Sequence, residues 1–222
     1  MSENKDHKEP LLPADEPQVA RDKKIRSILM WGSIIIALIV LGVIVYIYAV
    51  REPGIQKAND AIAEADRIAL FEGNDSTALA AYENVANNYG YDAGNRAKLQ
   101  SAIILYSQGK YQEALDYLNN YKSTDHIIGA TALGLKGDCL VNLDKYDDAI
   151  SAFDKAIKQA DGNPQLVPYF LSKKATVLAA QNKHAEAADI YAEIEKEYPD
   201  YAAQTRAEAH RLQQEALAGT AK

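Results

Sequence analysis

One cysteine, Cys139, stands in 222 residues, so no disulfide can form within the chain. A lone thiol in a helix-forming stretch reads as a small buried hydrophobe rather than a nucleophile. Proline is scarce, and three of the seven, Pro10, Pro13 and Pro17, crowd the N-terminal tail. Beyond residue 50, Val, Ile and Phe thin out as well. Long stretches without helix breakers, and poor in strand-forming residues, argue against a sheet and for helix. A cationic excess is missing too: Lys plus Arg number 24 against 31 Asp plus Glu, a formal net charge of −7. Residues 1–50 hold six basic and six acidic residues, so the whole surplus lies after them. A domain this acidic lacks the basic face that nucleic-acid phosphates require, and no nucleic-acid partner is expected.

Catalytic constellations are also lacking. His7, His126, His184 and His210 are the four histidines, and none has metal-ligand spacing to another His, Cys or carboxylate. There is no Gly-rich phosphate loop and no Gly-x-Ser-x-Gly. The adjacent Asp147 and Asp148 open a predicted helix, where acids complement the helix dipole. The expectation is a protein that is not an enzyme, with no catalytic residue, metal site or cofactor.

What is present begins with one long apolar run. Residues 28–50, ILMWGSIIIALIVLGVIVYIYAV, hold no charged residue. As a helix they span about 34 Å, enough to cross a bilayer core. Trp31 sits at one end and Tyr46 and Tyr48 at the other, as interfacial aromatics do. A cleaved signal peptide would have a shorter apolar core and a small-x-small exit; here the exit reads Tyr48-Ala49-Val50-Arg51-Glu52. Arg21, Lys23, Lys24 and Arg26 crowd the N-terminal flank, which the positive-inside rule places in the cytoplasm. Residues 51–222 then lie outside it, in a bacterium in the periplasm. Residues 1–27, charged and rich in proline, are expected to be a disordered cytoplasmic tail; the Leu11-Leu12 pair in it reads as two apolar residues in a flexible segment. Pro53-Gly54 is expected to break the helix after the membrane.

A pattern then recurs. YQEALDYLNNY (111–121), YDDAISAFDKA (146–156) and HAEAADIYAEI (184–194) each carry Ala at the fourth place. Each follows a short turn: Gly109-Lys110, Asp144-Lys145 and Asn182-Lys183. A degenerate first copy is DSTALAAYENV (75–85), so the aligned alanines are Ala78, Ala114, Ala149 and Ala187. A preceding helix supplies a matching small residue at Ala102, Gly137 and Ala175, which close helix crossings need. Asp66 falls where the first copy should be small, and Lys98, Leu133 and Leu171 stand where an aromatic usually starts the first helix. Pro199 and Pro164 close the last two copies.

The aligned alanines lie 36, 35 and 38 residues apart, close to the nominal length of about 34 for the tetratricopeptide repeat with its two helices per copy, which residues 59–201 resemble. The fold class expected is all-α: an N-terminal transmembrane helix, a tetratricopeptide-type solenoid of about four repeats filling 51–222, and a cap helix at 202–218. In that cap Asp200 is the expected N-cap and Gly219 the stop, with Ala203, Ala207, Leu212 and Leu217 inward and Arg206, Glu208, Arg211 and Gln214 wet. Tyr82, Tyr111, Tyr117, Tyr121, Tyr146, Tyr191 and Tyr198 read as packing residues.

The resemblance implies that the first helix of each repeat lines a concave, partner-binding face. By register the candidates are Arg96, Leu99, Ile103, Tyr106 and Ser107, then Thr131, Asp138, Val141 and Asn142, then Tyr169, Ser172 and Thr176. Asp138 and Thr131 stand where a clamp for an acidic C-terminal peptide would need donors, so that ligand is not expected. In plan and length, and in the GKYQEAL-type signature, the chain resembles the YfgM family. That resemblance implies an ancillary subunit of the Sec translocon in the inner membrane, with periplasmic chaperones or exported clients as partners. A scaffold for another envelope assembly is the alternative, and nothing in the tail argues for a signalling role.

Overall fold

A computed structural model describes residues 16–71, 74–123 and 125–220, and every regular element among them is helical. The chain divides into two units, Met1–Gly54 and Ile55–Lys222.

In the first unit, α1 spans Glu16–Tyr46 and runs into a π-helical turn at Ile47–Arg51. The helix therefore starts well ahead of residue 28, where the tail was expected to end; residues 1–15, with Leu11-Leu12, lie outside the described residues. Pro53-Gly54 does not break the chain's path. Helix α2, Glu52–Phe71, follows directly, so Lys23–Phe71 is one helical run. The reason is local. The Glu52 N–H donates to the Ile47 carbonyl, a wider turn than the α-helical one, and Pro53 enters just after it with its missing donor already accommodated. The most apolar stretch of this run has a mean hydropathy of 2.9 and no buried residue, and the run is long and apolar enough to cross a membrane.

In the second unit the helices stack in chain order. After α2 come α3 (Asp75–Asn88), α4 (Tyr91–Ser107), α5 (Tyr111–Asn119), α6 (Ile128–Asn142), α7 (Tyr146–Gln159), α8 (Leu166–Ala180) and α9 (His184–Glu197). Each packs on its sequence neighbour from α3 onward, the arrangement of a solenoid. The aligned alanines explain the spacing: Ala114, Ala149 and Ala187 are fully buried, as are Ala102 and Ala175 on the facing helices. At the third crossing, a methyl on Gly137 would lie 2.5 Å from the Phe153 ring, so only glycine lets α6 and α7 meet there. Gly134 is held in the same way by the Phe170 ring on α8. In the first copy the buried small residue of α2 is Ala65, one place before Asp66, which frees Asp66 for the polar role described below. Of the three residues standing in the aromatic position, Leu171 is buried, Leu133 half-buried, and Lys98 lies flat enough to donate to the Asn120 carbonyl.

The recurring turns share one geometry. Gly109, Asp144 and Asn182 all have φ between 56° and 75°. The following lysine N–H reaches back to Leu105, Leu140 or Leu178 at 2.9 Å. This is a Schellman closure, which needs a left-handed residue and so selects Gly, Asn or Asp. The lysine carbonyl then accepts from Ala114, Ala149 or Ala187, starting the next helix.

The cap differs from the single helix expected. It is two helices, α10 (Pro199–Thr205) and α11 (Ala207–Thr220), broken at Arg206 in the left-handed conformation. Tyr198 rather than Asp200 takes the N-cap position, with Pro199 at the first helical place, and Gly219 lies inside the last turn of α11. The kink resets the register. Ala202, Ala207 and Gln214 are buried, while Ala203, Leu212 and Leu217 are exposed. Gln214 goes inward because it meets His184 Nδ1 at 2.8 Å, whereas His210 stays exposed and stacks on Tyr191. Arg211 is held at the α9 boundary by Glu195 and Glu215.

Candidate partner-binding face

The first helices α4, α6 and α8 carry the whole of the expected face and are laced together by polar contacts. On α6, Asp138 accepts two hydrogen bonds from Lys173 Nζ on α8, at 2.8 and 3.0 Å. The Lys173 ammonium also stands 5.1 Å from the centre of the Tyr169 ring, a cation–π distance. On α4, Tyr106 meets the Asn142 side chain of α6 and packs edge-on against Tyr111 with ring centres 5.4 Å apart. Burial, followed by the charge of Asp138, pushes the Tyr106 hydroxyl above its ordinary value of 10. Thus Tyr106, Asp138, Asn142 and Tyr169 come together in one patch around Lys173.

Burial is the larger influence on Asp138 and holds its carboxyl above the usual range against the pull of Lys173. Burial would lower the Lys173 ammonium, but the Asp138 hydrogen bond and charge reverse this and raise it above 10.5. Lys173 escaped the sequence reading. The available signal was its spacing: it follows Asp138 by 35 residues, one repeat, so opposite charges recur on adjacent first helices.

The other candidates separate from this patch. Arg96 Nη2 donates to Asp66 at 2.9 Å, and the other Asp66 oxygen accepts from Tyr82 at 2.8 Å, tying the first repeat to the second. Burial, then the Asp66 hydrogen bond, pushes Tyr82 up to about 12. Leu99 and Val141 are half-buried against the core, whereas Ile103 is 44% exposed. The hydroxyls of Ser107, Thr131 and Thr176 bond carbonyls of their own helices, those of Ile104, Ile127 and Ser172, at 2.7–2.9 Å. Ser172 itself is half-buried.

The patch has apolar and hydrogen-bonding surface: Tyr169 is 42% exposed, and Ile103, one turn before Tyr106 on α4, borders it at 44%. Its one carboxylate–amine pair is engaged with itself. Among the described residues no three His, Cys, Asp or Glu side chains gather as a metal site. Cys139 is fully buried, and burial with the neighbouring Asp138 charge pushes its thiol up to about 11. The arrangement offers contacts to a polypeptide surface.

Residues 56–179 match the model of the tetratricopeptide repeat-like domain family, more than half of the 222 residues. The chain belongs to the tetratricopeptide repeat-like domain family. Residues 170–201 also match the tetratricopeptide repeat itself, so the two matches run across α2 to α9 without a gap. It is a protein-interaction module. No curated protein sequence matches the chain. A solved structure of MamA protein is similar, at 16% identity and a TM-score of 0.53, over 72% of this chain and 87% of that one. A second MamA structure, also at 16% identity, gives a TM-score of 0.50 over 70% of this chain and 95% of that one. At such identity the likeness concerns the fold alone.

Proposed function

We propose that the chain is a membrane-anchored tetratricopeptide module of the cell envelope, acting in the translocon or periplasmic chaperone network and performing no chemistry. The observation that carries this reading is the exposed, uncharged run within Lys23–Phe71, joined in one chain to a protein-interaction domain. A tether to the bilayer makes an encounter with a membrane complex effectively intramolecular, which suits an ancillary subunit. The cationic N-terminal flank favours a cytoplasmic N-terminus and an external repeat domain. The first-helix patch, with Ile103, Tyr106 and Tyr169, suits an extended or helical segment of a partner, and the acidic balance of the domain favours basic partner surfaces.

The test is crosslinking and co-purification from native membranes. Sec components and export chaperones are expected, and exchanging the apolar run for an unrelated span should weaken recovery of the translocon. Ile103→Asp should lose soluble partners while keeping the helical content, since its side chain is exposed. A C-terminal reporter active only outside the cytoplasm should be active. Recovery of another envelope complex, with no Sec component, would replace this reading with that of a general envelope scaffold.

A further inference from the structure

On α6, Leu133, Lys136 and Leu140 lie on the helix face opposite Thr131, Asp138 and Asn142, by the helical period. They look into a groove between the second helices α5 and α7, of about 310 Å³. Its floor is apolar: Leu115, Leu140 and Ala152 are buried and Leu133 is half-buried. Lys136, Lys145 and Lys155 line it, with one acid, Asp148. An adjoining cleft of about 350 Å³ shares Leu133 and Lys155 and adds Lys158, with Asp161 at its far side, 4.0 Å from His126.

The charge here runs against the rest of the domain. Elsewhere four lysines pair with acids: Lys173 with Asp138, Lys174 with Asp154, Lys183 with Asp147 and Lys196 with Glu197. Among the described residues, Lys136, Lys145, Lys155 and Lys158 form no ion pair; Lys136 reaches only the Asn119 amide oxygen and Lys145 only that of Gln112. In a chain with 31 acids to 24 bases, four unpaired ammonium groups around one apolar trough are a local reversal.

We propose that this groove docks an acidic segment of a partner polypeptide, with an aliphatic side chain over Leu133 and carboxylates on the flanking lysines. Charge complementarity selects the carboxylates, and the recessed apolar floor selects a chain with a protruding side chain over a flat anionic surface. The surface is distinct from the first-helix patch and does not rest on the reading above.

The test uses the full chain in detergent and a fluorescein-labelled peptide carrying two adjacent leucines between runs of glutamate, read by fluorescence anisotropy. Reversing Lys136 and Lys155 together to glutamate should weaken binding by about tenfold or more and flatten its salt dependence. The control pair Lys110→Glu with Lys196→Glu, outside the groove, should change it by less than about twofold. Replacing the peptide leucines with serine should also weaken binding. Circular dichroism of each variant keeps loss of fold separate from loss of binding. Equal weakening by the control pair, undiminished binding of the serine peptide, or no binding of either peptide overturns the proposal. Binding to phosphatidylglycerol nanodiscs that the groove variant alone loses, with the peptide unaffected, would overturn it in favour of a lipid surface.

Discussion

At the scale of single residues, the repeat depends on positions where backbone geometry leaves little choice. Asn182 closes α8 at φ 60°. Asn182→Ala should destabilise by about 1 kcal/mol, because a β-carbon is penalised in the left-handed region, and Asn182→Gly should be neutral or stabilising. Chemical denaturation of both variants checks the sign. Gly137 is constrained by contact instead. Gly137→Ala should cost about 1–3 kcal/mol, because the new methyl meets the Phe153 ring across the α6–α7 crossing. A second change, Phe153→Leu, should lose stability by itself but less in the Gly137→Ala background, and a double-mutant cycle on denaturation midpoints reads that coupling. The small residue at Gly137 was legible in the sequence by its place before Ala149. Gly134, three residues earlier, was not, because its partner Phe170 comes from the next repeat and no local spacing announces it.

At the scale of elements, the polar lacing between first helices makes separate helices act as one face. Lys173→Met should destabilise by about 1–3 kcal/mol, since it leaves the Asp138 carboxylate half-buried without its cation. The sign with pH follows. Asp138 already has a raised pKa, and losing Lys173 removes a downward influence, so it should rise further. A group whose folded pKa is raised favours the folded state below the unfolded value, so the deficit of the variant should shrink as pH falls and Asp138 takes up its proton. Thermal melts of both proteins from neutral to acid pH, with the Asp138 carboxyl followed by NMR, check this. A deficit independent of pH would sink the account. The register of these helices was readable from the recurring alanines. The lacing was not, because it joins residues a repeat apart whose rotamers are chosen by packing.

At the scale of the whole molecule, the repeat domain buries Tyr82 and half-buries Tyr106, Tyr117 and Tyr198. Burial is the first cause that raises Tyr82, Tyr106, Tyr117 and Tyr198 above 10, Tyr82 reaching about 12. A raised folded pKa contributes stability that is complete below 10 and lost as pH climbs through the folded value. Stability should therefore hold to about pH 10 and fall between 10 and 12, with the loss of the Lys173 charge, whose pKa is raised, adding above 10.5. Tyr82→Phe should lower stability at neutral pH by removing the hydrogen bond to Asp66, and should make the alkaline fall shallower. Melting temperatures across that pH range decide it.

Composition and period alone determined that this chain is helical, that its repeats are of the tetratricopeptide kind, and that an uncharged apolar run precedes them. They could do so because a helix writes its buried face at a fixed spacing and a repeated crossing demands the same small residue each time. Tertiary structure decided where that period stops governing. It carried the helix through Pro53 by widening one turn, and it kinked the cap at Arg206 so that Gln214 went in and Leu212 came out. It paired Lys173 with Asp138 and left Lys136, Lys145, Lys155 and Lys158 around Leu133 without ion pairs among the described residues. Each outcome depends on groups distant in sequence meeting in space, where hydrogen bonding and burial outweigh the hydropathy of any single position.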